Sequence, residues 1–422
     1  MKVYKFGGAS IKSSAGIRNV KAILGLCQEP LVIVVSALGK TTNALEILLN
    51  MYFENDPAVE SQLAKIEREH CSLLEELVGP GMDTEILSPL FAEVRQHISG
   101  RLKGSYDFCY DQLVSYGELL STKIVYAYLI KEGVNITWLD ARKLISTDSN
   151  FREAGVNLEE TALRVHSALE GKQGSFLIQG FLGGNIDGYA TTLGREGSDY
   201  SAAVLANVIN AESVTIWKDV SGILNADPKE FKNAVHLPGV SYQEAVELSF
   251  FGAQIIHPKT IKPLQNKGIT LFVKPFQQPN AAGTIINAEA TSGSVPVYVI
   301  KHNQVLISIR PKDFSFVLEE TLSEVFPILS KNRVKINMVQ SSAITISICV
   351  DGVKRYIQPA MEELKTKFNV LYNENLELFT IRNYRVDEVE KITSGRKVYM
   401  LQKTRRTLRI LVDEGSFDGM EL

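Results

Sequence analysis

The sequence predicts an α/β protein: a mostly parallel sheet sandwiched by helices, with a helical insertion, followed by smaller α+β units. Three observations predict it. Uninterrupted apolar, β-branched runs such as Leu31-Val32-Ile33-Val34-Val35 alternate with helix-period segments, as strands buried on both faces do. Strand character is lost from Ala44 to Lys131. A stretch rich in Pro, Gly, Ala, Ser and Thr, Gln277 to Pro296, separates long elements from shorter ones and reads as a domain boundary. The expected organisation is a domain over 1–290 with its insertion at about 44–131, an α+β unit over 297–352, and an abbreviated second unit over 353–422.

Taken in order, Val3 to Phe6 is a short buried strand that ends at Gly7-Gly8. A helix follows to about Cys27, then the strand Leu31 to Val35, ending at Ser36. The insertion holds helix-period segments at Ser61 to Val78 and Gln112 to Lys131, broken by Gly79-Pro80-Gly81 and Ser88-Pro89. Strands return at Asn135 to Leu139, Ser175 to Gln179, Ser213 to Lys218 and Thr270 to Pro275. Beyond the boundary the reading is strand Val297 to Arg310, helix Leu318 to Asn332, strands Lys335 to Ser341 and Ile344 to Asp351, and helix Lys354 to Phe368. Separate strands at Asn369 to Tyr372 and Leu376 to Arg382, a helix at Val386 to Thr393, and strands Lys397 to Gln402 and Leu408 to Val412 complete the chain. This is a βαββαβ rhythm and a shortened second copy.

Composition removes several classes of function. Lys+Arg 45 against Asp+Glu 48 gives a net charge of −3, with no basic footprint for nucleic acid. The longest apolar run, Leu31 to Val35, is far short of a membrane span. Cys27, Cys71, Cys109 and Cys349 are scattered and suit a reducing compartment. The N-terminus runs straight into a strand and a glycine turn, so a cytoplasmic protein without a signal peptide is expected. Gly39-Lys40-Thr41 imitates the end of a P-loop, but Val34 stands where its first glycine belongs. No G-x-G-x-x-G, no G-x-S-x-G and no paired His/Cys metal cluster occurs.

Ligands of such sheets bind beyond the carboxyl ends of the strands. Lys5 with Gly7-Gly8, Ser36, Phe181, and Lys218-Asp219 all fall there. The most distinctive stretch is Thr191 to Ala203, a strand-to-helix turn carrying Gly194, Arg195, Glu196, Gly197, Ser198 and Asp199. Two glycines allow close backbone approach to a ligand, Ser198 suits a helix N-cap, and Arg195 offers a planar fork for a carboxylate or phosphate. On this segment alone, an ordinary capped helix whose Asp199 complements the dipole is an equal reading.

Six segments occur together in one order: Lys5-Phe6-Gly7-Gly8-Ala9-Ser10; Val35-Ser36-Ala37 through Thr42-Asn43; Tyr116 to Ser121; Gln179-Gly180-Phe181; Gly194 to Tyr200; and Phe251-Gly252-Ala253 with His257-Pro258. In this the chain resembles the aspartate kinases, enzymes of the amino-acid-kinase fold with C-terminal, ferredoxin-like ACT regulatory domains, and the resemblance covers essentially its whole length. It implies ATP-dependent phosphorylation of the L-aspartate side chain, the first step towards lysine, threonine and methionine, with Mg²⁺ bound mainly through phosphates and water rather than by a protein metal site. Lys5 would then stabilise the transferring phosphoryl group and Asp199 would organise the charged centre. Ser36, Thr42, Glu118, Phe181, Arg195 and Ser198 would bind aspartate, with Glu118 on its ammonium. Gly7, Gly8, Lys218, Asp219, Gly222, Leu224, Asp227, Lys229 and Gln254 would hold the nucleotide. Asn337, Gln340, Ser341 and Ser342 fall in the effector-binding segment for lysine or threonine, and a homodimer through side-by-side ACT sheets is implied.

Local readings compete with these roles. Glu118 near a helix start, Asp227-Pro228 as a turn, His257 before Pro258 and Cys349 in an apolar strand are each explained without a site. The chain also departs from the family pattern. Glu196 replaces a glycine, Lys218 a threonine, Gln254 a lysine and Lys229 an arginine; Asn337 stands where lysine-sensitive members carry aspartate. One reading is relocated charge, with Lys218 and Lys229 neutralising phosphate and Lys218 answering Glu196. The alternatives are another carboxylate kinase of this fold, such as an acetylglutamate kinase, or a weakly active amino-acid-binding regulator.

Overall fold

The computed structural model describes residues 1–81, 83–101, 103–253, 256–313, 316, 319–385, 387–415 and 420–421. The chain forms two compact units. One comprises Met1–Ile223, His236–Ser249 and Gln254–Ser292; the other comprises Leu224–Val235, Phe250–Ala253 and Gly293–Leu422.

Its strands, in chain order, begin with β1 (Lys2–Phe6), β2 (Leu31–Val35), β3 (Ile136–Leu139), β4 (Ser175–Gln179), β5 (Leu182–Gly184), β6 (Ala190–Thr192) and β7 (Ser213–Lys218). They continue with β8 (Ile223–Leu224), β9 (Phe231–Lys232), β10 (His236–Leu237), β11 (Gly239–Ser241), β12 (Thr270–Pro275) and β13 (Thr284–Asn287). The main sheet of the first unit has the order β11-β13-β12-β7-β1-β2-β4-β3. All of its pairings are parallel except β12 with β13. The five residues of β2 are all buried, as their unbroken apolar run requires. Register sets the site: Phe6 pairs with Val35 and Trp217, and Val35 with Gln179. The turns after β1, β2, β4 and β7 therefore leave one edge of the sheet together.

Helices α1 (Ser14–Leu24), α2 (Thr41–Phe53), α3 (Val59–Val78), α4 (Asp83–Ile86), α5 (Ser88–Gln96), α6 (Tyr106–Val114) and α7 (Tyr116–Lys131) precede β3. A Cβ on Gly117 would lie 3.1 Å from the Ala37 side chain, so glycine lets the start of α7 press against the turn after β2. There the Ser121 hydroxyl donates to the Ser36 carbonyl at 2.7 Å. Buried Asp111 ties α6 to β6, accepting from Thr192 N–H at 2.8 Å, Thr192 Oγ1–H at 2.6 Å and Arg152 N–H at 3.0 Å. Helices α8 (Ala141–Leu144), α9 (Leu158–Leu169), α10 (Gly197–Val208), α11 (Tyr242–Phe251) and α12 (Pro258–Gln265) follow. Within the stretch read from sequence as a boundary, Gln277 to Pro296, the chain first builds β13 against β12. Gly283, at φ +67°, turns it there, and a Cβ would come within 2.3 Å of the Val273 carbonyl oxygen. Composition registers the turn and misses the four-residue strand behind it.

In the second unit a six-stranded antiparallel sheet has the order β15-β16-β14-β17-β19-β18, from β14 (Val297–Pro311), β15 (Ile336–Ser341), β16 (Ile346–Asp351), β17 (Phe368–Arg382), β18 (Val398–Lys403) and β19 (Thr407–Asp413). Helices α13 (Glu319–Lys331), α14 (Lys354–Lys367) and α15 (Asp387–Thr393) lie among them. Ile307, Ile309 and Ile348 of the sheet pack with Val325, Leu329 and Leu364 of the first two helices. Asn369 to Tyr372 and Leu376 to Arg382 are one strand, not two: Asn375, at φ +56°, absorbs the irregularity opposite Gln304 without ending the ladder. The short β20 (Met420–Glu421) pairs in parallel with β9. Among the described residues no helix is long and apolar enough to cross a membrane.

Candidate active site

A cleft of about 570 Å³ lies at the carboxyl edge of the parallel strands. Its walls bring together Lys5, Gly7, Gly8, Ser36, Thr42, Glu118, Phe181, Ser198, Asp199, Lys218 and Asp219. Gly8 has no room for a side chain, since a Cβ would stand 2.3 Å from the Ala37 carbonyl oxygen. Its own carbonyl accepts from Gly39 N–H at 3.0 Å, which locks the turns after β1 and β2 together.

The charged centre has three members. Lys5, buried at the end of β1, places Nζ 2.6 Å from Asp199 Oδ1. Opposite charge holds the pair. From neighbouring β7, Lys218 Nζ approaches Asp199 Oδ2 at 3.7 Å. Burial pushes the Asp199 carboxyl up, but Lys5 and then Lys218 outweigh it and hold its pKa below the ordinary value. Asp219 is exposed and accepts from the Ser10 hydroxyl at 3.3 Å.

Helix α10 enters differently from the sequence expectation. Ser198 is not the N-cap. Glu196 holds that place in a left-handed conformation, φ +53°, and the helix starts at Gly197. Ser198 lies in the first turn, with Gly180 so close that a Cβ there would meet Ser198 Oγ at 2.6 Å. Nor does Lys218 answer Glu196. The Glu196 carboxylate accepts from His257 N–H at 2.8 Å, at the start of α12, and the His257 side chain caps that helix by accepting from Lys259 N–H at 3.2 Å. The substituted glutamate is thus a brace between two helices. Phe181 is also left-handed, φ +68°, and its N–H donates to Ser201 Oγ at 2.9 Å.

Glu118 is 2 % exposed, and its Oε2 has no hydrogen-bond partner. Burial raises its pKa to about 8, which the backbone N–H groups of Glu118 and Ala37 only partly offset. A buried carboxylate oxygen without a donor, facing a cleft, is suited to an incoming cation.

The remaining residues singled out in the sequence lie elsewhere. Arg195 is exposed beside the cleft and makes no hydrogen bond or ion pair among the described residues. Gly222, at φ +136°, is a tight turn where a Cβ would collide with His236 and Thr284. Leu224, Asp227 and Lys229 belong to the second unit, where Asp227 accepts from Lys229 N–H at 2.9 Å. Gln254 lies outside the described residues. Asn337, within β15, is buried. It donates to Gln304 Oε1 and Asp351 Oδ1, both at 2.7 Å, and accepts from Lys301 Nζ at 2.8 Å. Gln340, Ser341 and Ser342 are exposed at the end of β15. Sequence reasoning missed Trp217, which lines the cleft with an unpartnered indole N–H; its place just before Lys218 was the available signal.

Comparison with known proteins gives a concordant picture. The amino acid kinase family model matches residues 1–275. The chain is 32 % identical over 379 residues to aspartokinase 1, chloroplastic, of Arabidopsis thaliana, covering 86 % of this chain and 65 % of that protein, just under two thirds of its length. It is 30 % identical over 354 residues to lysine-sensitive aspartokinase 3 of Escherichia coli, covering 83 % and 78 %. The crystal structure of Escherichia coli aspartokinase III in complex with aspartate and ADP (R-state) superposes with a TM-score of 0.83 at 27 % identity, over 98 % of this chain and 96 % of that one. The same enzyme in complex with lysine and aspartate (T-state) gives 0.79.

Proposed function

The chain belongs to the amino acid kinase family, among the aspartokinases, and from that premise we propose that it is an aspartate kinase, transferring the γ-phosphoryl group of ATP to the side-chain carboxylate of L-aspartate. The products are 4-phospho-L-aspartate and ADP, the opening of lysine, threonine and methionine synthesis. The observation that carries the reading is the cleft itself: a buried Lys5–Asp199 pair and, in the same walls, a buried Glu118 oxygen without a partner.

Both reactants are anions, so catalysis reduces to holding them in line and neutralising charge that builds on the moving group. Lys5 supplies that charge at the phosphoryl group. Asp199 keeps Lys5 in position, and Lys218 adds a second cation on the nucleotide side. Gly7 and Gly8 let backbone N–H groups reach the phosphates. Glu118 takes the aspartate ammonium, Arg195 clamps a substrate carboxylate, and Ser36, Thr42, Phe181 and Ser198 shape the acceptor pocket. Asp219 stands on the nucleotide side. Mg²⁺, held through phosphates and water, supplies further neutralisation; the buried Asp199 is already engaged by two lysines, which fits a metal bound mainly by the nucleotide. Lysine or threonine acts on the second unit near Asn337, Gln340, Ser341 and Ser342, and two chains associate through their antiparallel sheets in the cytoplasm.

The test is ADP release from Mg-ATP with a panel of acids, the acyl phosphate being trapped with hydroxylamine. Trapped product with aspartate is expected. Turnover with acetylglutamate and not aspartate, or with no acid at all, would overturn the assignment.

A further inference from the structure

A second cavity, of about 300 Å³, shares a wall with the cleft. The turn between β2 and α2 and the first residues of α2 form that wall: Gly39 lines both spaces, Thr42 lines the cleft, and Leu38, Lys40 and Thr41 line the second cavity. Three exposed lysines, Lys12, Lys40 and Lys65, contribute to its lining, and none pairs with a carboxylate among the described residues. Glu69 is the single acid in its lining, and Gln62 adds an amide. A lining with three lysines and one acid carries an excess of positive charge, which favours an anion there.

A buried side chain also borders the cavity, with an acceptor for an anion that carries a proton. His70 is 3 % exposed, and its Nδ1–H donates to the Ile66 carbonyl at 2.7 Å, which leaves Nε2 as an acceptor in the neutral ring. Nε2 faces Thr41 Oγ1 at 3.3 Å, yet the single Thr41 hydroxyl proton is already directed to the Leu38 carbonyl at 2.8 Å. Nε2 and the Leu38 carbonyl thus share one hydroxyl proton at the wall of the cavity.

We propose that this cavity binds a small multivalent anion, phosphate-bearing or polycarboxylate, and that its occupancy steadies the 38–42 turn and with it the acceptor side of the cleft. Binding stands on the cavity alone. The coupling rests on the reading that Thr42 lines the aspartate pocket.

Pyrophosphate and citrate, each at matched ionic strength, serve as probes in thermal-shift and calorimetric titrations of the full chain. At least one anion is expected to raise the melting temperature while sodium chloride does not, and the better probe identifies phosphate or carboxylate chemistry. In a Lys12→Ala/Lys65→Ala variant, affinity should fall about tenfold or more, with the anion-free melting temperature unchanged. In Lys5→Ala, which disables the cleft's own charged centre, the anion response should persist. No response in the unmodified chain, an equal response in the double variant, or loss of the response in Lys5→Ala alone would each overturn the site. Saturating anion should also shift the aspartate KM at least about twofold in the unmodified chain and not in the double variant. Binding with an unmoved KM would overturn the coupling.

Discussion

At the scale of single residues, Lys5 and Glu118 carry opposite electrostatic problems. Lys5 is buried, with Asp199 at 2.6 Å. Lys5→Ala is expected to lower kcat by roughly 10²–10³-fold, as loss of one preorganised charge does, and steady-state kinetics on the folded variant would check it. Glu118 is buried with an unanswered oxygen and a pKa raised to about 8 from 4.5. The free chain therefore favours the protonated acid, whose contribution to stability is full below about pH 4.5 and is lost as pH rises through about 8. Pairing with the substrate ammonium needs the ionised form. The aspartate KM should accordingly fall, by up to about tenfold per pH unit, as pH rises towards 8, and should lose this slope in Glu118→Gln. Composition and spacing singled out Lys5, because a cation between a buried strand and two glycines is hard to explain otherwise. They did not single out Glu118: an acid in the first turn of a helix is commonplace, and its isolation comes from packing that brings Ala37 and Gly117 together across the fold.

Among elements, the strands of the parallel sheet were legible wherever apolar runs were long, as in β2 and β7. Apart from β3, the two- to four-residue strands were not, since β11 and β13 take their pairing from the neighbouring ladder rather than from their own pattern. Helix α10 shows the limit at a terminus: Ser198 has the residue type of a cap, but the backbone turns at Glu196. That glutamate braces α12 through His257 N–H, and this yields a contrast with the catalytic residues. Glu196→Ala should lower stability by about 1 kcal/mol, by denaturant unfolding, while kcat changes less than about threefold. A large loss of kcat at unchanged stability would return Glu196 to the chemistry. Gly8→Ala is the harsher change. Its Cβ meets the Ala37 carbonyl, so about 1–3 kcal/mol of strain should appear as a lowered unfolding midpoint together with lost turnover.

On the scale of the whole molecule, the antiparallel sheet ends in β15 on one side and β18 on the other. Strand β18 carries exposed Val398 and Leu401 at that edge, and unpaired apolar edges favour association. Sedimentation equilibrium should return twice the 46.8 kDa chain mass, and Leu401→Lys should shift the population towards monomer. A monomer at micromolar concentration in the unmodified protein would dismiss the proposed dimer.

The units also fail to follow the order of the sequence. Leu224–Val235 and Phe250–Ala253 lie within the stretch matched to the kinase family, yet they cluster with the C-terminal sheet. Tyr298 N–H donates to the Asn225 carbonyl at 2.7 Å, His302 Nε2 lies 3.3 Å from Glu230, and Arg409 sits 5.1 Å from the Phe251 ring. The C-terminal segment from Gly293 is therefore no interchangeable cassette. A hybrid spliced at Gly293 with a relative's tail would strand both segments opposite foreign residues, so a working graft must carry all three pieces across.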